Sequence, residues 1–334
     1  MSRCSRRRGV GLTAVASALV AALASAGCSG STGRVAATSP GGPGGPGGSA
    51  AGPHFVVVIE ENHSFDQIQR PGAAPNIDRM ASSGTLLTSY FAIAHPSLPN
   101  YIALLSGGTQ GITSDCTTCT TLDAPTLVDQ LGRAGITWRA YMQGLPAPCS
   151  TSVSTDSYVR RHDPFMYFRS IRDDPGACRN VVPLSQFYSD LATGHLPQFA
   201  WITPDLVNDM HGGEQVVPNS PADRNLVQRA DALLGSLYDR LSSSSAWDED
   251  TRLVVTWDEG LRREGDQTES CCGGLAQGGH IATVVVGPDV SHGSDARTYT
   301  HYSLLRSIES AYGLPHLGHA ADPTVADIPA IARR

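Results

Sequence analysis

Three apolar runs in this chain each end in acids and imidazoles. His54-Phe55-Val56-Val57-Val58-Ile59-Glu60 leads into Glu61, Asn62 and His63. Trp201-Ile202-Thr203-Pro204-Asp205 is followed by Asp209 and His211, and Leu253-Val254-Val255-Thr256-Trp257 ends in Asp258 and Glu259. Carboxylates, a carboxamide and imidazoles gathered in this way make a ligand set for a metal ion. Any one acidic strand end is equally well a loop start or a helix cap, but three are harder to explain so. A hydroxyl joins them: His95-Pro96-Ser97-Leu98-Pro99-Asn100-Tyr101 reads as a turn into an apolar helix, which places Ser97 at a helix N-terminus where backbone N–H groups face an anion. Locally Ser97 is more readily a helix cap. No Gly-x-Ser-x-Gly elbow surrounds it, so activation would come from a metal that holds the alkoxide.

The elements that must position these residues alternate. Residues 55–59, 137–142, 253–257 and 281–286 read as strands, and 86–94 as an extended return. Residues 74–84 read as a short helix capped by Asn76, and 126–134, 226–241 and 301–312 as further helices, the last stopped by Gly313 and Pro315. A strand buried on both faces is an unbroken apolar run, as 55–59 is. In open α/β sheets ligands bind beyond the carboxyl ends of the strands. The expectation is an α/β fold, a three-layer α/β/α sandwich with a mostly parallel central sheet. Residues 143–195 read as a loop-rich rim.

The chain has 334 residues and a formal charge of −7, made more acidic still once Arg3, Arg6, Arg7 and Arg8 are set aside. That balance argues against nucleic-acid backbone binding. Those arginines precede an apolar stretch that ends at Ala26, followed by Gly27-Cys28, the layout of an export signal. Ser25-Ala26-Gly27-Cys28 is similar to a lipobox. The expected organisation is therefore an export signal over 1–27, a flexible Gly/Pro linker over 28–53 with a lipid anchor at Cys28, and one catalytic domain over 54–334. The expected location is outside the cell or on the outer face of the cytoplasmic membrane, with membrane contact through the anchor and no obligate protein partner. Six further cysteines suit disulfides in an oxidising compartment; Cys149 with Cys178 is the favoured pair, a zinc knuckle the alternative.

At Glu61-Asn62-His63-Ser64-Phe65-Asp66 and His95-Pro96-Ser97-Leu98-Pro99-Asn100-Tyr101 the sequence resembles the bacterial phosphoesterase family of phospholipases C and secreted acid phosphatases, within the alkaline phosphatase superfamily. Arg161-His162-Asp163-Pro164-Phe165, Asp205 to His211, Thr256-Trp257-Asp258-Glu259, Gly278-Gly279-His280-Ile281 and His301-Tyr302-Ser303-Leu304-Leu305 follow in the family's order. The likeness spans roughly 54–316 and is nearest to acid phosphatases acting on phosphomonoesters, including phosphatidylinositol 3-phosphate. It implies Ser97 as the phosphorylated nucleophile and Glu61, Asn62, Asp258 and Glu259 as ligands of a divalent ion (Mg, Mn, Ca or Zn), with Asp205, His211 and His280 for a second ion if there is one. Asn100, one helical turn beyond Ser97, and Arg161, His162 and His301 are candidates to hold the phosphoryl group of a phosphorylated small molecule or phosphoinositide headgroup. For His162 the plainer reading is a loop histidine bonded to Asp163. His63 is read as orienting its loop, and His54, His292, His316 and His319 as surface residues.

The resemblance leaves two alternatives to a phosphomonoesterase working through phosphoserine. One keeps the fold and takes phosphodiesters, as phospholipases C do. The other is a non-catalytic extracytoplasmic lipoprotein that captures phosphate or a metal, which would have no need of a hydroxyl set among metal ligands.

Overall fold

The structure, a computed structural model, describes residues 52–212, 216–262 and 269–332. The expected export signal, the anchor at Cys28 and nearly all of the linker lie outside the described residues. Among the described residues no helix is long and apolar enough to cross a membrane.

Among the described residues nine strands make one sheet: β1 His54–Glu60, β2 Thr85–Phe91, β3 Trp138–Met142, β4 Val181–Pro183, β5 Phe199–Thr203, β6 Thr251–Trp257, β7 His280–Val286, β8 Gly293–Asp295 and β9 Tyr299–Thr300. Their order is β4-β3-β5-β1-β6-β7-β2-β8, with β9 also on β2. Among the described residues only β7 runs against its neighbours, β6 and β2. The central strands carry apolar middles because helices cover the sheet on both sides: every residue of β1, β5 and β6 is buried, including the polar residues at their ends. Parallel pairing in register, Val58 with Ile202 and Glu60 with Trp257, brings the carboxyl ends of β1, β5 and β6 together. The three acidic runs therefore converge at one edge of the sheet. Because β7 is antiparallel, its first residue, His280, also starts there.

The helix Ser97–Ser106 is buried along its whole length. It ends at Gly107, whose φ of 73° and whose approach to Leu317 (a Cβ there would stand 2.1 Å from its carbonyl oxygen) admit only glycine. The helix Pro75–Ser82 is capped from a distance. Asn76 does not serve as its cap; Ala74 precedes the first turn, and Asp231, on the long helix Pro221–Ser242, accepts from the N–H groups of Asn76 and Ile77 at 3.0 and 2.9 Å. Sequence spacing cannot register a cap that lies 155 residues away.

Other expectations need correction. His54 is not a surface residue: it begins β1 inside the sheet and is 7 % exposed. The loop-rich stretch after β3 contains β4 and the helix Ser185–Ala192, whose short lengths hide their periodicity. Cys149 pairs with Cys178, and two further disulfides join Cys116 to Cys119 and Cys271 to Cys272.

Candidate active site

Ser97 and the acids at the strand ends form one arm of the site. The Ser97 hydroxyl donates to Glu61 Oε2 at 3.0 Å and also neighbours the carboxylates of Asp258 and Glu259. One helical turn on, Tyr101 donates from its hydroxyl to Glu61 Oε1 at 2.6 Å. Asn62 N–H donates to Asp258 Oδ1 at 3.1 Å, tying the end of β1 to the end of β6. To do so Asn62 takes a φ of 57°, a left-handed conformation that asparagine tolerates better than most residues. His95 Nδ1 is hydrogen-bonded to Glu259 Oε2. His63 braces the turn from behind, with Nδ1 3.0 Å from the Glu61 carbonyl and Nε2 3.1 Å from Asp223.

Asn100 and His301, both expected to face a phosphoryl group, are turned to other partners. Asn100 donates to the carbonyls of Ala94 and Pro96 and accepts from the N–H groups of Ile93 and Ala94, so its amide is spent on the chain that leads to Ser97. His301 donates from Nε2 to the Asp258 carbonyl at 2.6 Å, and its Nδ1 lies 3.3 Å from the Tyr90 hydroxyl; the ring is wholly buried. Each residue holds the arm in place from behind.

Loops supply the second arm. The turn Arg160–His162 brings in His162, whose Nε2 lies 3.2 Å from Glu61 Oε1 and whose Nδ1 lies 3.3 Å from Asp209 Oδ2. Asp209 is fixed twice: its carbonyl accepts from Glu61 N at 2.8 Å and its Oδ1 from His211 N at 2.8 Å. His211 donates from Nδ1 to the Gly212 carbonyl, which leaves Nε2 as a lone pair 3.3 Å from an Arg161 nitrogen. Arg161 also lies 3.7 Å from Asp115, a residue that accepts from Leu98 N in the first turn of the Ser97 helix.

Asp205 and His280 are not brought into this group. The Asp205 carboxylate accepts from Val207 N and Asn208 Nδ2, folding its own loop, so Asp209 takes the inward position. The His280 ring is stacked between Phe65 and Phe91, with Nε2 3.0 Å from the Thr88 carbonyl. Its strand starts at the right end of the sheet, but its ring is engaged by Phe65, Phe91 and the Thr88 carbonyl, and it does not join the group formed by Glu61, His162 and His211.

Burial first, and mutual repulsion second, pushes the carboxyl groups of Glu61 and Asp258 well above the usual range; Asp209 is raised chiefly by burial, against the help of His211 N–H. Burial pushes His162 well below its ordinary value, with Arg161 adding to the effect. Four acids and two neutral imidazoles packed so closely need a cation if the acids are to be ionised. The residues fit one. Glu61, His162 and His211 each offer a donor atom within 4.8 Å of the others. Asp258 Oδ2, Asp209 Oδ2 and His162 Nε2 are buried without a hydrogen bond. His162, expected at the phosphate, thus stands among the ligand candidates.

Sequence reasoning gives no role to His95, Tyr101 or Asp115, and it counts Asp209 in the second acidic run without choosing it over Asp205 as a ligand. Tyr101 was open to discovery, since i and i+4 share a helix face and Ser97 already defined that face. The Asp209-x-His211 spacing, two residues on one turn, was also visible. The contacts of His95 and Asp115 span 164 and 17 residues and leave no local trace.

Comparison with known proteins agrees with this geometry. The Phosphoesterase family profile matches residues 70–315. The chain is 32 % identical over 278 residues to a phosphatidylinositol-3-phosphatase of Mycobacterium tuberculosis, spanning 82 % of both chains. It is 30 % identical over 262 residues to an acid phosphatase of Aspergillus fumigatus, covering 74 % of this chain and 52 % of that one, so it spans about half the length of that fungal relative. In fold it is similar to an alkaline phosphatase superfamily protein from Vibrio parahaemolyticus, with a TM-score of 0.56 at 18 % identity over 85 % of this chain and 69 % of that one. Matched across most of its folded length, the chain belongs to the Phosphoesterase family and is a hydrolase of phosphate esters.

Proposed function

We propose that this protein is a metal-dependent phosphomonoesterase that works through a phosphoserine at Ser97. The observation that carries the reading is the Ser97 hydroxyl, buried and hydrogen-bonded to Glu61 within a group of four carboxyl groups. A hydroxyl without a metal or base is a poor nucleophile at neutral pH. Glu61, Asn62, Asp258 and Glu259 on one side, with His162, His211 and Asp209 on the other, would hold a divalent ion of the Mg, Mn, Ca or Zn type. Bound there, the ion would lower the pKa of the Ser97 hydroxyl and screen the phosphate from the acids.

Ser97 Oγ attacks phosphorus in line with the leaving oxygen, passing its proton toward Glu61 Oε2 as the P–O bond to the alcohol breaks and the alcohol leaves with a proton; water then hydrolyses the phosphoserine, releasing phosphate and the free Ser97 hydroxyl. Arg161, beside His211 in the loop arm, would hold a non-bridging oxygen. The names of the mycobacterial and fungal relatives support a phosphomonoester, with a phosphoinositide headgroup as one candidate substrate. Export and lipid anchoring at Cys28 belong to the same proposal, and fractionation of cells carrying Cys28→Ala tests them.

The main test uses purified protein with p-nitrophenyl phosphate and its bis ester, followed by acid quenching and mass spectrometry of the Ser97 peptide. Preferential hydrolysis of the monoester and a phosphorylated Ser97 are expected. Exhaustive chelation should remove activity, and a divalent ion should restore it. Activity that persisted without metal would remove Glu61 and Asp258 from their roles.

A further inference from the structure

Residues 271–279 form a strap that touches both sides of the strand-end arm. Cys271 and Cys272, adjacent in sequence, are joined by a disulfide, and Cys272 is exposed. Cys272, Gly273 and Gly274 have successive φ values of 60°, 66° and 90°, a left-handed run unusual for a non-glycine residue. The knot closes on itself as Cys271 N donates to the Ala276 carbonyl at 2.9 Å and Gly274 N to that of Cys271 at 3.1 Å.

From the knot the chain passes directly to the approach to the nucleophile. Gln277 N donates to the Ile93 carbonyl at 2.9 Å and Gly278 N to that of Ala92 at 3.0 Å, while Ala92 N donates back to the Gly279 carbonyl at 3.0 Å. On the other side Gly260 N, next to Glu259, donates to the Gly278 carbonyl at 2.7 Å. A Cβ on Gly278 would stand 2.5 Å from the Ala94 carbonyl oxygen, and one on Gly279 would stand 2.8 Å from Gly260 Cα. The strap is therefore backbone against backbone with the segment before Ser97 and with the residue after Glu259. Arg161, His162 and His211 are carried by other loops.

We propose that the Cys271–Cys272 disulfide is a positioning device for the reaction, holding the strap that sets Ser97 against Glu61, Asp258 and Glu259, so that its reduction by a dithiol lowers turnover. The inference rests on the reading of Ser97 as nucleophile. A thiolate of the dithiol attacks Cys272 Sγ, the S–S bond breaks, and Cys271 leaves as a thiolate that takes up a proton. The second thiol of the reductant then displaces Cys272. Two electrons have passed to the protein, leaving two cysteine thiols and an oxidised cyclic disulfide. With the bond open, residues 272–274 lose the link that closes their turn, and the hold on residues 92–94 and on Gly260 slackens. The phosphate-facing loop arm is untouched, so the loss falls on kcat rather than on KM.

The test measures kcat and KM on p-nitrophenyl phosphate as dithiothreitol is titrated with the divalent ion in excess, while alkylation and peptide mass spectrometry report which disulfides are open. Opening of Cys271–Cys272 should lower kcat by about tenfold or more, with KM held within about twofold, as small displacements of reacting groups do. Reoxidation with oxidised glutathione should restore the wild type. The C271S/C272S variant should start with the lowered kcat, lose nothing further when Cys271–Cys272 would have opened, and keep a wild-type melting profile by circular dichroism. Unchanged kcat with both cysteines alkylated overturns the inference, as does a loss that follows Cys116–Cys119 or Cys149–Cys178 instead. Oxidised wild type without any phosphomonoesterase activity overturns the Ser97 reading and the inference with it.

Discussion

The two arms of the site are built differently. The strand-end arm, Glu61, Asn62, Asp258 and Glu259 with Ser97, stands on buried strands and a buried helix, and its parts are hydrogen-bonded to one another. The loop arm, Arg161, His162, Asp209 and His211, rides on a short turn and on the loop after β5, and three of its buried polar atoms, Arg161 Nε, His162 Nε2 and Asp209 Oδ2, have no hydrogen bond. Rigid elements hold reacting groups to close tolerance, while loops supply groups that meet a ligand. On the proposed mechanism the first arm would carry the reacting hydroxyl and part of the metal shell, and the second would complete that shell and meet the substrate.

Ser97→Ala gives the sharpest contrast. Loss of the nucleophile should lower kcat by about a thousandfold or more with the fold intact, since the residues of a catalytic unit act together. Residual activity within tenfold of wild type by steady-state assay would erase the distinction between the arms. His162→Asn should act mainly through capture, lowering metal content by direct elemental analysis and reducing kcat/KM by about 10- to 100-fold, the range for loss of a group at a metal. Retained metal with a fall in kcat alone would move His162 to the bond-making side. Arg161→Gln should be milder, raising KM for p-nitrophenyl phosphate by about tenfold, the effect of losing one charge-assisted hydrogen bond, with kcat nearly constant.

The smallest effect concerns stability. Burial lowers His301 from 6.5 to about 4, although its bond to the Asp258 carbonyl favours the charged form. The unfolded chain therefore takes up the proton first as pH falls. This contribution is complete above about pH 6.5 and disappears toward pH 4, with a ceiling of roughly 3 kcal/mol. His301→Gln should be less stable than wild type at pH 7, and the gap should narrow by pH 4 in denaturant melts. Parallel curves would show that the ring does not govern the acid limit of the strand-end arm.

Much of the strand-end arm was legible in the chain because its cues are local. An apolar run ending in Glu61-Asn62, a second ending in Asp258-Glu259, and a hydroxyl before an apolar helix each lie within a dozen residues. The loop arm is only half legible: the sequence points to Arg161, His162 and His211, but it favours Asp205 over Asp209 and adds His280. Irregular backbone has no period from which the direction of a side chain can be read, and the Asp205 loop folds back on its own carboxylate. His280 was misplaced for another reason, since the antiparallel course of β7 and the flanking rings of Phe65 and Phe91 appear in no single motif.

By itself the sequence determined which residue types stand at strand ends and helix starts, the α/β alternation and the chemistry those residues could share, because propensity and periodicity act over a few neighbours. Tertiary structure alone decided which acids face inward, that Asn100 and His301 serve as braces, and that Asp231 caps a helix 155 residues away. Those outcomes depend on distances between segments far apart in the chain, and such distances are set by packing the whole core.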